Sequence, residues 1–227
     1  MISQNMSNSV KDNLLKVRNT LPNNVSLVAV SKYQPVESIL EAYECGQRVF
    51  AESHVQELSK KYNTLPKDIE WHFIGHLQTN KVKYIIPYIS LIESVDSIHL
   101  LKEINKQSRK CNRIVDVLLE LHIAEEETKT GFEINECKEL FENCSFADFE
   151  SVRICGIMMM ASNVDDYNQI KQEFKLAQDF FNFIKSNYYP QDDYFAICSW
   201  GMSNDYLIAI DNGSNNVRVG SLIFGSR

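Results

Sequence analysis

The sequence has few glycines and prolines, no linker segment rich in these residues or in serine, and no low-complexity tract. There are 8 glycines and 5 prolines among 227 residues. Because domain boundaries usually fall in such linkers, their scarcity predicts one domain spanning residues 1–227. No apolar run approaches the ~20 residues that a membrane-spanning helix needs, so we expect no membrane segment.

Basic residues are outnumbered by acidic residues. The chain has 23 Lys and Arg against 30 Asp and Glu, which gives a formal net charge of −7. Broad binding of nucleic acid or of an anionic membrane requires a basic face. We therefore expect neither partner, although a local basic pocket is compatible with this charge balance.

Paired cysteine motifs and a secretory leader are also missing. The six cysteines include no C-x-x-C pair, and their spacing indicates no disulfide framework. The first eight residues lack the basic and then apolar layout of a signal peptide. Together these observations predict a cytoplasmic protein with reduced thiols.

The chain does contain a regular alternation of short apolar runs with longer amphipathic stretches. Eight runs rich in β-branched and aromatic residues predict strands: Val25–Ser31, Arg48–Ala51, Glu70–Ile74, Leu91–Ser94, Arg113–His122, Val152–Met158, Tyr194–Ser199 and Asn216–Val219. Apolar residues at three- and four-residue steps predict helices between them: Val36–Cys45, His54–Tyr62, Ile98–Arg109, Asn135–Glu142 and Asp166–Lys185.

This alternation predicts an α/β fold with parallel strands joined by right-handed crossovers. Eight units favour closure into a (β/α)8 TIM barrel, with an open doubly wound sheet as the alternative. The segment Val10–Thr20 predicts an extra N-terminal helix, which would cover the barrel bottom or its flank.

Lys32 is the first candidate functional residue, because functional groups of parallel barrels collect at the carboxyl ends of strands. It directly follows the first predicted strand. Partial desolvation at the rim of an apolar interior favours the neutral amine. A neutral amine attacks an aldehyde to form a Schiff base. The alternative is an ordinary lysine that reaches solvent from a strand end.

The loops after the last two strands combine glycine with a hydroxyl group. They read Gly201-Met202-Ser203 and Gly220-Ser221. Backbone N–H groups at a helix N-terminus bind anions, and in barrels these loops commonly hold phosphate. Glycine would let the backbone approach the phosphate, and the serines would donate further hydrogen bonds. Simple helix capping by the serines is the alternative.

His72 and His76 have the four-residue spacing of helical zinc ligands, but they fall on a predicted strand and its loop. A third ligand is not evident, so we predict no metal site. His76, with Gln78 and Asn80, is instead expected to line the pocket at the carboxyl ends of the strands.

Seven long motifs, in order along the chain, resemble those of the pyridoxal phosphate homeostasis proteins, the YggS/PROSC family. They are Leu27–Val36, Glu41–Arg48, Val55–Leu58, Ile69–Lys81, Glu93–Ser97, Gly201–Asp205 and Val217–Gly225. The resemblance implies a barrel like the N-terminal domain of alanine racemase. It also implies a monomer that holds pyridoxal 5′-phosphate (PLP) as a lysine aldimine.

The resemblance assigns roles to individual residues. Lys32 would form the internal aldimine, and the loop Met202–Ser203 with Gly220 and Ser221 would hold the phosphate. Arg218 would lie near the pyridine nitrogen, where it disfavours ring protonation and so weakens carbanion chemistry. A plain phosphate contact or a salt bridge is the alternative role for Arg218.

Ser53 marks a departure from the family. The chain has Phe50-Ala-Glu-Ser53 where family members have Phe-Gly-Glu-Asn. The family asparagine is expected beside the cofactor ring, and a serine has a shorter reach and a single hydroxyl. We keep Ser53 as a predicted cofactor-binding residue.

Three functions fit a Schiff-base lysine in a barrel, and we favour the first. The chain would bind PLP and deliver it to apo forms of PLP-dependent enzymes, in vitamin B6 homeostasis and without a catalytic residue of its own. The second is an amino-acid racemase or decarboxylase, which would need the additional β-rich domain found in related enzymes and a positioned acid or base. Tyr33 and His76 are weak candidates for that role. The third is a lysine-dependent aldolase.

Overall fold

The computed structural model describes residues 9–123, 130–143 and 149–225. Eight strands, all pairing in parallel with their neighbours, close into a barrel in sequence order, and β8 pairs with β1. The strands are β1 Ser26–Val30, β2 Val49–Glu52, β3 Glu70–Phe73, β4 Leu91–Val95, β5 Val115–Leu121, β6 Val152–Met159, β7 Ile197–Ser199 and β8 Asn216–Val219.

Helices follow the strands and cover the outside of the barrel. They are α1 Val10–Arg18, α2 Val36–Glu44, α3 Val55–Thr64, α4 Val82–Ile85, α5 Ile98–Lys110, α6 Ile134–Asn143, α7 Tyr167–Tyr188, α8 Tyr206–Asp211 and α9 Ser221–Phe224. A single 3-10 turn, Thr79–Lys81, leads into α4. Within the described ranges, no helix is long and apolar enough to cross a membrane.

The predicted (β/α)8 barrel is confirmed, and the open-sheet alternative is wrong, because β1 and β8 are hydrogen-bonded neighbours. The predicted seventh strand begins too early. Phe195 lies outside it and stacks on Phe181 of α7 and on Tyr189, with ring centroids 5.0 and 4.5 Å away. The aromatic character of this run therefore serves packing beneath α7, not pairing in the sheet.

Strand side chains divide between two layers because they alternate in direction. One set joins the large apolar core with the helices, as Val117 and Val219 do. The other set faces the barrel axis. There Leu91, Leu118 and Met158 belong to a small separate apolar cluster. Polar and charged side chains share this interior, and they form the base of the candidate site.

The predicted N-terminal helix is present as α1 and lies on the flank of the barrel, against α2 and α9. Ser9 caps it by accepting the backbone N–H of Asp12. The amide of Asn13 donates to the carbonyl oxygen of Ile223 in α9 over 3.2 Å. This contact ties the first helix to the last.

Candidate functional site

A cavity of about 690 Å3 opens at the carboxyl ends of the strands. We call it the main cavity. Segments that follow β1, β6, β7 and β8 form most of its wall. Six of the eight residues proposed from sequence line it: Lys32, Met202, Ser203, Arg218, Gly220 and Ser221. The structure therefore brings the candidate amine and the candidate phosphate-binding loops together.

Lys32 lies in a tight turn directly after β1 and is half-buried. The backbone N–H of Gln34 donates to the carbonyl oxygen of Ser31 over 2.9 Å, which closes the turn. Tyr33, at the third position, has a φ of 65°. A positive φ at this position is typical of type II turns, although a residue other than glycine or asparagine is uncommon there.

The loop after β7 is held by its own side chains. The carboxylate of Asp205 accepts the backbone N–H of Met202 over 2.5 Å. At Gly201, φ is 92°, and an added Cβ would lie 2.5 Å from the Cβ of Ala209 in α8. Gly201 is therefore needed for packing against α8, whereas the sequence had suggested close approach to a phosphate.

Two hydrogen bonds join the loops after β7 and β8. The backbone N–H of Gly220 donates to the hydroxyl of Ser203 over 3.3 Å. The backbone N–H of Arg218 donates to the carbonyl oxygen of Gly201 over 3.0 Å. These bonds place the Ser203 hydroxyl beside the start of α9, where Ser221 lies.

Arg218 is a buried cation at the base of the main cavity. Its Nη1 lies 2.7 Å from the carbonyl oxygen and 2.6 Å from the hydroxyl of Ser199, and its Nη2 lies 2.9 Å from the carbonyl oxygen of Met159. Burial lowers the pKa of the guanidinium, and nearby carboxylates, with Glu93 first, act against that shift. An arginine nonetheless stays protonated in a protein.

Glu93 on β4 supplies the counter-charge below Arg218. Its carboxylate lies 3.7 Å from Nη1 of Arg218, accepts the hydroxyl of Ser199 over 2.5 Å and lies 2.6 Å from Nδ1 of His72. Burial alone would raise the pKa of Glu93, but the contact with His72 and the charge of Arg218 hold it below its usual value. This network fixes the direction of the guanidinium.

Ser53 and His76 line a different cavity. The second cavity, of about 350 Å3, lies beside the first at the ends of β2 and β3. Ile74 lines the main cavity, and the residues on either side of it line the second. The Ser53 hydroxyl is 3.2 Å from Nδ1 of His54, and Nδ1 of His76 is 2.9 Å from the Asp96 carboxylate. The structure thus does not bring these two candidates to the wall shared by the other six.

The histidines also bear on metal binding. His72 contacts Glu93, and His76 contacts Asp96. Among the described residues, no group of three or more His, Cys, Asp and Glu side chains could hold a metal ion.

The segment after β6 is a part of the site that sequence analysis missed. Residues 160–165 form one wall of the main cavity. Ser162 anchors this segment, because its backbone N–H and its hydroxyl each donate to the buried carboxylate of Glu173 in α7 over 2.7 Å. Only the run of three methionines marked this region in the sequence. Met158 and Met160 line the cavity, whereas Met159 belongs to the core.

The chain matches the family model "Alanine racemase, N-terminal domain" over residues 7–227. It is 39% identical over 206 residues to the pyridoxal phosphate homeostasis protein of Aquifex aeolicus, across 90% of this chain and 88% of that protein. It is 37% identical over 210 residues to the protein of the same name from Schizosaccharomyces pombe, across 90% of this chain and 85% of that protein.

Solved structures give the same picture. PipY of Synechococcus elongatus PCC7942 with PLP bound is 30% identical and superposes with a TM-score of 0.85, over 95% of this chain and 100% of that chain. An alanine racemase of Clostridium difficile superposes with a TM-score of 0.75 at 16% identity, over 96% of this chain and 57% of that chain. The racemase shares the fold.

Glu120 on β5 is a second buried carboxyl group near the site, and it makes stability depend on pH. Burial raises its pKa from 4.5 to about 7, and the hydrogen bond from Thr130 and the charge of Arg218 oppose this shift only in part. Its favourable protonated state is fully present below pH 4.5 and is lost as the pH rises through 7. At about 1.4 kcal/mol per pKa unit, ionisation should lower the free energy of unfolding by about 3 kcal/mol.

We expect Glu120→Gln to abolish this loss, since the amide is neutral at every pH. Urea unfolding between pH 5 and 8 measures it. Glu70→Gln, at an exposed position on β3, is the matched control and should keep the wild-type dependence. Parallel curves for Glu120→Gln and wild type would contradict the prediction.

Proposed function

Because the chain belongs to the family of pyridoxal phosphate homeostasis proteins, which have the alanine racemase N-terminal domain fold, we propose that it binds PLP in the main cavity and acts in vitamin B6 homeostasis. The observation that supports this most directly is the shared cavity. Lys32, the Arg218 guanidinium and the serines Ser203 and Ser221 line it together. PLP has an aldehyde, a ring nitrogen and a phosphate, so each of its polar ends has a chemical counterpart.

The loops after β7 and β8 suit the phosphate. Ser203 and Ser221 line the cavity, and both carry hydroxyl groups. The first backbone N–H groups of α9 have no partner within their own helix, as at every helix start. Hydroxyl and amide donors are the groups that hold phosphate in proteins. We propose that Met202, Ser203, Gly220 and Ser221 form this binding site.

Arg218 suits the ring nitrogen. Its three hydrogen bonds go to Ser199 and Met159, and Nε donates to no acceptor within the described residues. A guanidinium can only donate. A nitrogen opposite it must therefore accept, which requires an unprotonated pyridine. Such a ring is a weaker electron sink, which favours holding the cofactor over turning over a substrate.

Lys32 suits the aldehyde. PLP supplies an aldehyde carbon that bonds to a primary amine, with the aldehyde oxygen and two hydrogens of the amine leaving as water. Lys32 is the lysine that lines the main cavity in the described part of the chain. β1 pairs with β8, so the turn that carries Lys32 lies beside the loop after β8.

We propose that the protein carries the cofactor and has at most slow racemase activity. Racemisation needs an acid or base placed against the substrate carbon. Tyr33 is exposed, with its hydroxyl 3.5 Å from Nε2 of His54, and His76 lies in the second cavity beside Asp96. Neither side chain lines the main cavity.

The remaining parts of the proposal depend on family membership. We propose that residues 1–227 act as one PLP-binding domain, in the cytoplasm and as a monomer. Apo forms of PLP-dependent enzymes are the proposed recipients. Ser53 and His76 are proposed to contact the cofactor only from the neighbouring second cavity.

Covalent capture tests the proposed role of Lys32. The protein incubated with PLP should absorb visible light, and borohydride should fix the cofactor to one peptide containing Lys32. Lys32→Ala should lose the fixed adduct and retain weak binding through the phosphate loops. Peptide mapping by mass spectrometry identifies the site. An adduct on another lysine would show that this assignment is wrong.

Removing two hydroxyls tests the phosphate site. Ser203→Ala with Ser221→Ala should weaken PLP binding by roughly 1–3 kcal/mol, the scale of lost hydrogen bonds to a charged group. Spectrophotometric titration measures the change. Ser186→Ala, on the exposed face of α7, is the control and should leave affinity unchanged. Unchanged affinity in the double variant would place the phosphate elsewhere.

An amino-acid panel separates carrier from racemase. PLP-loaded protein should interconvert the enantiomers far more slowly than the median turnover of enzymes, about 10 per second. Chiral chromatography follows the reaction. Turnover at ordinary enzyme rates with any amino acid would favour the racemase instead.

A further inference from the structure

A buried group of charged residues lies beneath the turn that carries Lys32. It consists of Lys61 and Glu57 on α3 and Glu52 at the end of β2, and we call it the Lys61 cluster. The side chains of Lys61, Glu52 and Glu57 are 6%, 0% and 23% exposed. Lysine and glutamate are rarely buried unless they are paired. None of the three lines the main cavity.

All three N–H groups of the Lys61 ammonium have acceptors. Nζ lies 2.8 Å from Oε1 of Glu52, 2.7 Å from Oε1 of Glu57 and 2.7 Å from the carbonyl oxygen of Ser31. An ammonium has three donors, so this geometry uses its full capacity. The third bond differs from the two ion pairs, because its acceptor is a backbone carbonyl, that of Ser31, directly before Lys32.

The cluster holds the backbone on both sides of Lys32. On one side the carbonyl oxygen of Ser31 accepts from Lys61, and the Ser31 hydroxyl donates to Oε1 of Glu52 over 2.6 Å. On the other side the backbone N–H of Tyr33 donates to Oε1 of Glu57 over 2.6 Å. The peptide groups before and after Lys32 are therefore both tied to the same three side chains.

The turn needs such support. Tyr33 has a φ of 65°, a region that side-chain-bearing residues seldom occupy unless the surroundings enforce it. The hydrogen bond that the Tyr33 N–H donates to Glu57 acts at this residue. The hydrogen bond that closes the turn runs from the backbone N–H of Gln34 to the carbonyl oxygen of Ser31. The same oxygen accepts from Lys61.

We propose that Lys61, with Glu52 and Glu57, is a positioning group that holds the Lys32 backbone so that its amine points into the main cavity. This inference rests on the proposed binding of PLP at Lys32. The cluster acts through backbone hydrogen bonds and touches no ligand. A misplacement of about 1 Å can slow a bond-forming step by about a hundredfold. Loss of the cluster should therefore slow covalent capture more than it weakens non-covalent binding.

The test compares two ligands in one variant. Lys61→Met removes the ammonium and keeps an unbranched side chain. PLP can bond to Lys32, whereas pyridoxamine 5′-phosphate has the same ring and phosphate but an amine in place of the aldehyde. We expect the rate of PLP capture, measured by borohydride trapping of the Lys32 peptide, to fall by about tenfold or more. The affinity for pyridoxamine 5′-phosphate should stay at the wild-type value.

Lys60→Met is the matched control, since Lys60 is the adjacent residue of α3 and is exposed. It should behave as wild type with both ligands. Wild-type capture by Lys61→Met would overturn the inference. Equal losses for both ligands would also overturn it, because they would show that the cluster supports the barrel in general.

A second pair of variants covers the case in which Lys61→Met does not fold. Glu57→Gln keeps an oxygen that can accept from Tyr33 and Lys61, and Glu57→Ala removes it. We expect Glu57→Ala to slow capture by about tenfold and Glu57→Gln to restore most of the rate. Equal rates in these two variants would contradict the positioning role.

Failure of this inference differs from failure of the proposed function. If wild-type protein does not trap PLP at Lys32, the proposed function itself is wrong. If wild type traps PLP at Lys32 and the Lys61 and Glu57 variants trap it equally well, only the positioning role is wrong.

Discussion

The hydrogen bonding between β1 and β8, which closes the sheet, is the constraint on which the site depends. In this register Val28 lies beside Arg218, and Ala29 lies beside Val219. Lys32 and Gly220 therefore emerge at neighbouring points of the barrel mouth. In an open sheet the first and last strands need not be neighbours, and strand pairing would then not bring an amine from one to hydroxyls from the other.

Two buried charge networks support this mouth from below. Glu93 and Ser199 orient Arg218, and the Lys61 cluster holds the turn of Lys32. Opposite charges and hydrogen bonds offset part of the cost of burying these groups, and removal of one partner leaves the other uncompensated. The geometry of the cavity therefore depends on side chains outside its wall as much as on those that line it.

Much of the fold was predictable from the sequence because strand and helix periods are local properties. That Lys32, Ser203 and Gly220 lie at one barrel mouth was predictable too, since each follows a strand and all strands of a parallel barrel end at one mouth. Local patterns could not separate Ser53 and His76 from that group. Both follow strands as well, but the boundary between the two cavities depends on the volumes of side chains distant in sequence.

The sequence by itself determined the order of strands and helices, the amine after β1 and the glycine–serine pairs after β7 and β8, because these follow from local patterns. Only the tertiary structure decided which of these residues share a cavity. It also revealed the segment after β6 and the bonds from Lys61 to the backbone beside Lys32. Lys61 and Ser31 are 30 positions apart in the sequence, and local periodicity does not predict contacts at that separation.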